Sequence, residues 1–248
     1  MSYDRALTVF SPDGRLFQAE YAMEVVKKGA AVVGVKGSDC VVFALEKFET
    51  KKLQDSRTVK KVGAVDTHIA MAYAGLSADA RVLLNKARLE CQNYRLRMDS
   101  ECTIEYISRY VASIQQKYTQ QGGARPFGLS TLIAGFDRDH TPHLFVTDPT
   151  GSSTEWKATA IGRNSDPVIE YLEASYKPTN NIDETIDLAM KALLEVVDTG
   201  SKNIEVCVIE DGKQMKLLSD AETTACIERV EGEKKKEEEE KRKKVMQL

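Results

Sequence analysis

Hydrophobic and polar positions along the chain follow two different periods. Apolar and β-branched residues come in pairs of short runs joined by polar turns, a pattern typical of antiparallel hairpins. These runs are residues 30–35 with 40–45, and residues 60–65 with 68–74. The apolar spacing then becomes helical over residues 80–98 and 104–118, with Ser77 as a candidate N-cap of the first of these helices. The first half of the chain is therefore predicted to form sheet and then two consecutive amphipathic helices.

The second half repeats this order. Strands are predicted at residues 129–136, 144–147 and 155–161, helices from Asp166-Pro167 and over 186–197, and a last strand pair at 203–209 and 215–218. Ser219 and Glu222 form a capping box before a final helix, and near the start of the chain the turn Ser11-Pro12-Asp13-Gly14 precedes a short helix over 19–28. Strand runs that alternate with helix pairs favour antiparallel sheets covered by helix layers, which is an α+β architecture. No linker interrupts the interior, so one domain is expected.

The charge balance and the lengths of the apolar stretches argue against several classes of function. The 248 residues carry 35 Lys and Arg against 38 Asp and Glu, a net charge of −3. This balance argues against nucleic-acid binding, which needs a basic surface. The longest uncharged apolar stretch, residues 69–76, is far shorter than the roughly 18 residues of a membrane span, and the charged N-terminus does not resemble a signal peptide. We therefore expect an intracellular protein with no membrane partner.

Cysteine usage and candidate catalytic motifs point to no cofactor chemistry. The cysteines are scattered and odd in number, which favours reduced, buried thiols over disulfides or zinc ligands. They are Cys40, Cys91, Cys102, Cys207 and Cys226. The sequence contains no phosphate-binding glycine motif, and we expect neither a cofactor nor a metal.

Two short patterns resemble known sites without their context. Asp198-Thr199-Gly200 matches half of an aspartic protease site, but no second copy exists and the glycine is explained as a helix stop. His140 and His143 lie beside Asp137 and Asp139, a spacing that a metal site would use. Asp and Pro residues are expected at a hairpin tip in any case, so a turn is favoured there.

Residues 233–244 form a low-complexity, almost wholly charged segment at the end of the chain. Glu237 to Glu240 each precede a basic residue by four positions, which supports an exposed helical extension. A basic cluster of this kind is also read by the nuclear import machinery. Both a solvated tail and an import signal remain open.

Residues 3–22, YDRALTVFSPDGRLFQAEYA, closely resemble the N-terminal signature of 20S proteasome alpha-type subunits. The likeness continues at residues 26–29, 74–81, 118–120, 125–128, 148–151 and 158–162. The resemblance implies the N-terminal nucleophile hydrolase fold, a four-layer αββα sandwich of two antiparallel sheets between helix layers, with an N-terminal arm and helix. It also implies a gate arm and turn at 1–18, a single domain at 19–232 and a charged tail at 233–248.

The same resemblance implies a catalytically silent subunit. In related beta-type subunits the nucleophile is a threonine that becomes the first residue when the bond after a glycine is cut. The corresponding junction here is Gly29-Ala30, and alanine has no hydroxyl to attack a peptide carbonyl. Two alternatives stay open: a self-processing amidohydrolase of the same fold that uses Cys40 after cleavage, and a free-standing adaptor with a charged helical tail.

The resemblance also assigns two non-catalytic sites. Tyr3, Asp4 and Arg5 match the gate motif of the N-terminal arm, where their side chains can hydrogen-bond between neighbouring arms. Pro12 fixes the turn at the base of the arm, and Tyr21 matches a tyrosine that supports the open gate.

A second site, an activator-binding pocket, is expected at Lys61, with Gly29 and Leu76 beside it. Lys61 matches a lysine that binds the C-terminal carboxylate of an activator. The implied partners are other alpha subunits in a heptameric ring, beta subunits, and an ATPase regulatory particle or another activator. The implied role is ubiquitin- and ATP-dependent protein degradation in cytoplasm and nucleus.

Overall fold

A computed structural model of the chain describes residues 9–47, 53, 60–178, 180–197 and 204–245, with only the backbone for 233–245. The helices of this part are α1 (Phe17–Lys27), α2 (Ser77–Met98), α3 (Ile104–Gln120), α4 (Ser165–Ser175), α5 (Ile182–Leu193) and α6 (Asp220–Val245). The strands are β1 (Val32–Lys36), β2 (Cys40–Glu46), β3 (Val62–Ala64), β4 (Ile69–Gly75), β5 (Leu129–Phe136), β6 (Pro142–Thr147), β7 (Ser153–Glu155), β8 (Ala158–Ile161), β9 (Ile204–Glu210) and β10 (Lys216–Leu217).

The strands form two five-stranded sheets in which every pairing is antiparallel. The strand order is β10-β9-β2-β1-β8 in the first sheet and β3-β4-β5-β6-β7 in the second. The β1–β2 and β3–β4 hairpins expected from the sequence are both present, the first with Val35 opposite Val42 and the second with Gly63 opposite Met71.

Successive side chains of each strand point to opposite faces of its sheet, and this explains how the two sheets pack face to face. In β2, Val41, Phe43 and Leu45 point to the core between the sheets. Their neighbours Val42 and Ala44 point to the helices on the other side. Because successive side chains leave opposite faces of a strand, a strand covered on both faces is apolar throughout.

Helices cover both outer faces, so the architecture has four layers. The helices α2 and α3 pack on the second sheet through a core that includes Leu83 and Ile107. The helices α4, α5 and α6 pack on the first sheet through a core that includes Leu172, Met190 and Val230. The predicted αββα sandwich is confirmed.

The predicted strand at 155–161 is wrong as a single element. It is two strands, because β7 pairs with β6 in one sheet and β8 pairs with β1 in the other. Trp156 stands between them, and its backbone N–H donates to the carbonyl of Leu144 over 2.8 Å. The sequence pattern reports an extended backbone but does not say which partner each half takes.

Helix boundaries confirm one predicted cap and correct two others. Ser219 and Glu222 exchange the two bonds of a capping box at α6, over 2.7 and 3.3 Å. Ser77 is the first residue of α2 rather than its N-cap, because the carbonyl of the preceding Leu76 already accepts the first helical bond, from the N–H of Ala80 over 3.1 Å. Pro167 is the third residue of α4 rather than the first.

Four of the five cysteines are buried, as expected, whereas Cys226 is half-buried, and all five are free thiols. No helix of the described residues combines the length and the apolar character that crossing a bilayer requires.

Candidate functional site

A buried carboxylate lies at the end of β2. Glu46 is only 4% exposed, although the rest of the strand is apolar. It accepts a hydrogen bond from the N–H of Ala31 over 3.0 Å and another from Arg163 Nε over 3.0 Å, and Arg163 Nη2 donates a further one. A buried charge is stable only when it is paired and hydrogen-bonded. Glu46 therefore links the start of β1 to the loop that follows β8.

Lys61 adds a second cation to this cluster. Its side chain is 5% exposed, and burial lowers the pKa of Lys61 to about 8, with Glu46 opposing that effect and Arg163 adding to it. The unfolded chain therefore binds more protons than the folded chain between about pH 8 and the ordinary lysine pKa of 10.5, so stability rises with pH across that window. Lys61 therefore places a buried ammonium beside the ion pair of Glu46 and Arg163.

Gly29 and Leu76 lie beside the same cluster. The Gly29 carbonyl accepts a hydrogen bond from the backbone N–H of Arg163 over 2.9 Å. A Cβ at Gly29 would lie 2.5 Å from the backbone nitrogen of Gly75, so the close approach of these two segments requires glycine. Leu76 follows Gly75 directly and is 42% exposed. Gly29 thus contacts the cluster directly through Arg163, and Leu76 is connected to it through the adjoining Gly75.

Glu46 and Arg163 are the members of this candidate site that sequence reasoning missed. Each carries a weak signal in the sequence. Glu46 is the one acid at the end of the apolar run Cys40–Glu46, and Arg163 follows the glycine that ends β8. Their contact joins residues 117 positions apart, which periodicity cannot predict.

The junction between Gly29 and Ala30 has no nucleophile. Ala30 is fully buried and offers only a methyl group. Cys40, the alternative nucleophile, is buried at the start of β2, and this burial raises the pKa of its thiol. A raised pKa keeps the thiol protonated at neutral pH, which disfavours attack on a carbonyl.

The base of the N-terminal arm is an ordered turn. Ser11 and Gly14 close the turn around Pro12 and Asp13, with the N–H of Gly14 donating to the Ser11 carbonyl over 2.9 Å. Gly14 has a φ of +75°, which glycine adopts without strain. Tyr21 is exposed on α1 and stacks on Phe17, with ring centroids 6.3 Å apart. Tyr3, Asp4 and Arg5 lie outside the described residues.

A second ion pair holds the loop before β5. Asp79 on α2 accepts hydrogen bonds from both terminal nitrogens of Arg125, over 2.7 and 2.8 Å, and from the N–H of Gly128 over 3.1 Å. Because the carbonyl of Gly128 also accepts the N–H of Leu76, this ion pair positions the loop against the Leu76 side of the cluster.

Replacing Asp79 by alanine is expected to lower the free energy of unfolding by about 2 kcal/mol, because it leaves a buried N–H and a guanidinium without their acceptor. Hydrogen bonding to Arg125 lowers the pKa of Asp79 below its ordinary 3.8. The stabilisation is therefore complete above that pH and is lost as the pH falls towards the lower folded pKa. Urea unfolding of the wild type and the variant across this range measures the difference, and a difference that does not change with pH would contradict the assignment.

The histidine pair at His140 and His143 does not form a metal site with its described neighbours. The rings of His140 and His143 face different carboxylates, Asp211 at 2.7 Å and Glu155 at 2.8 Å. Within the residues that the structure describes, no group of three His, Cys, Asp or Glu side chains is placed to hold a metal ion. Asp198-Thr199-Gly200 lies outside the described residues.

Comparison with known proteins finds similar proteins for the N-terminal segment and for the rest of the domain. Residues 26–209 match the family described as "Proteasome subunit", and residues 3–24 match the N-terminal signature of the A-type proteasome subunits. The chain is 59% identical to "Proteasome subunit alpha type-7" of Solanum lycopersicum, over 94% of this chain and 90% of that protein. It is 57% identical to "Proteasome subunit alpha type-7-B" of Arabidopsis thaliana and 54% identical to "Proteasome subunit alpha type-7" of Dictyostelium discoideum, each over 94% of this chain and 93% of the relative.

These matches cover most of the chain and include its N-terminal segment. Members of this family assemble with other proteasome subunits. The missing nucleophile at Ala30 agrees with a subunit that performs no catalysis itself. The chain belongs to the alpha-type proteasome subunits, the non-catalytic outer-ring subunits of the 20S core particle.

Proposed function

We propose that the chain takes a place in a heptameric alpha ring stacked on a beta ring, where the cluster around Lys61 receives the C-terminal carboxylate of an activator. The activator is an ATPase regulatory particle or another tail-docking protein. The observation that carries this proposal is the burial of the Lys61 ammonium next to the ion pair of Glu46 and Arg163. An incoming carboxylate would place a further anion beside these two cations.

The environment of Lys61 favours such a ligand. A lysine ammonium is a compact charge that suits a single carboxylate. Two opposite charges attract more strongly where protein replaces water around them. Leu76 is exposed beside the cluster and supplies an apolar surface for the side chains that precede the carboxylate.

The arm at residues 1–18 is proposed to close the axial pore. The turn around Pro12 sets the direction in which the arm leaves α1, and Tyr21 stands exposed on the same helix. Tyr3, Asp4 and Arg5 supply a phenol, a carboxylate and a guanidinium for hydrogen bonds to neighbouring arms. Residues 19–232 then form the domain of the ring, and residues 233–248 a charged tail in a protein of cytoplasm and nucleus.

Exposed apolar side chains support contacts with other subunits. On α2 they repeat every seven residues, so they share one face of the helix. They are Val82, Leu89 and Leu96. A second group, near the arm, consists of Val9, Phe10, Tyr21 and Val25. Apolar surface of this extent is typical of a face that another protein covers.

Site-directed photocrosslinking tests the docking proposal. A photoreactive phenylalanine analogue at position 76, beside the cluster, is expected to crosslink to the last residues of an added activator tail. The matched control places the same analogue at position 89, another exposed leucine that lies on α2. Equally strong crosslinks to the tail from positions 89 and 76 would contradict the proposal. The absence of crosslinks from position 76 while the activator is bound would contradict it as well.

A further inference from the structure

Two cysteines lie side by side away from the Lys61 cluster. Cys91 belongs to α2 and Cys102 precedes α3, and their sulfur atoms are 3.4 Å apart. Both are buried, at 1% and 2% exposure. A disulfide has a sulfur–sulfur distance of about 2.05 Å, so a small approach of the two side chains would allow the bond. Nothing in the docking or gating roles uses this pair.

An imidazole adjoins Cys102. The ring of His68 donates from Nε2 to the carbonyl of Cys102 over 2.9 Å. Its other nitrogen, Nδ1, is buried and has no hydrogen-bond partner among the described residues. Burial opposes the charged form of this imidazole, but its contacts with Cys102 outweigh burial and raise the pKa of His68.

The two thiols differ in acidity. The contact with the Cys91 thiol, together with His68, lowers the pKa of Cys102, although burial acts in the opposite direction. The contact with Cys102 and burial both raise the pKa of Cys91. These directions make Cys102 the more acidic of the two thiols, and a thiolate is the nucleophilic form of cysteine.

A cleft brings small molecules to Cys102. Its volume is about 230 Å³, and Cys102, His68, Thr103 and Asp137 contribute to its lining. A water molecule occupies roughly 30 Å³ in the liquid. Hydrogen peroxide, with two oxygen atoms, therefore fits, whereas Cys91 lies behind Cys102 and does not line the cleft.

We propose that Cys102 and Cys91 are a peroxide-oxidised dithiol, with Cys102 as the attacking residue and Cys91 as the resolving residue. The Cys102 thiolate attacks one oxygen of hydrogen peroxide, the O–O bond breaks, and the leaving hydroxide takes a proton to become water. The resulting sulfenic acid is attacked by the sulfur of Cys91, the S–O bond breaks, and a second water leaves. The two thiols lose two electrons in total, and one peroxide is reduced to two waters.

The disulfide would tie Cys91, in the C-terminal half of α2, to Cys102 in the connection that leads into α3. It would thus form a reversible covalent link within one helix layer. This inference is independent of the proposed docking function, because it needs only the folded chain and a peroxide.

Mass spectrometry of the full chain tests the proposal. After brief exposure to hydrogen peroxide near neutral pH and alkylation of the remaining thiols, a peptide crosslink between Cys91 and Cys102 is expected, with the loss of two hydrogen atoms and reversal by dithiothreitol. In Cys91→Ser the reaction should stop at a Cys102 sulfenic acid that dimedone traps. In His68→Gln the pH dependence of Cys102 alkylation should shift to higher pH.

Cys226 provides the internal control, because it is more exposed than either member of the pair but has a pKa that burial raises. If exposure alone governs oxidation, Cys226 reacts first. Oxidation of Cys226 while Cys91 and Cys102 remain thiols would overturn the proposal. The wild-type measurement decides this without any variant.

Discussion

Replacement of Lys61 by alanine is expected to abolish stimulation of peptide hydrolysis by tail-docking activators, while the particle still assembles. Removing one partner of a buried charge pair at an interface costs about 2–5 kcal/mol, which corresponds to a roughly 30-fold or greater loss of affinity. Glu46 keeps its bonds from Arg163 and Ala31 in this variant, so the fold of the cluster should persist. Stimulated peptidase activity against activator concentration measures the loss.

Lys60→Ala is the matched control, because Lys60 is exposed and adjacent. Since the pKa of Lys61 is about 8 in the free chain, activator affinity should also weaken as the pH rises above that value in the wild type, and should do so less in Lys61→Ala. Full stimulation of the Lys61→Ala particle, or an equal loss in Lys60→Ala, would refute the role of Lys61.

Replacement of Glu46 by alanine is expected to lower the free energy of unfolding by about 3–5 kcal/mol. The change leaves the buried N–H of Ala31 without its acceptor and Arg163 without the carboxylate that it binds, and breaking a buried pair from one side carries a cost of this size. Glu46→Gln should lose less, because its amide oxygen can still accept the bond from Ala31. Urea unfolding of the full chain gives the free energies.

The control for Glu46 is Glu24→Ala, which removes an exposed ion pair with Lys27 on α1. Exposed pairs of this kind contribute little to stability, because water screens their charges. Similar losses in Glu46→Ala and Glu24→Ala would show that the buried cluster does not stabilise the end of β2 as described.

The order of helices and strands was predictable from the sequence because each element of this fold buries a whole face. Strands such as β2 are covered by a sheet on one side and helices on the other, so their apolar runs stand out from the turns. The exchange of sheets at Trp156 was not predictable, because an extended run has the same pattern whichever strand it pairs with.

The site was predictable only in part. Lys60 and Lys61 together look like a solvated pair, and the family resemblance alone singled out the second. The structure separates them by burial, because Lys60 is exposed and Lys61 is buried. The counter-ion Glu46 and its partner Arg163 required tertiary structure, because their contact spans 117 positions of sequence.

The central claim is that the chain works as an uncut structural subunit. The most direct test isolates the tagged chain gently from its native cell and measures the mass of the particle together with the intact mass of the subunit. The account predicts a very large, peptidase-bearing particle that contains the chain with its Gly29–Ala30 bond unbroken. A small species, or a chain that begins at Ala30 or at Cys40, would contradict it.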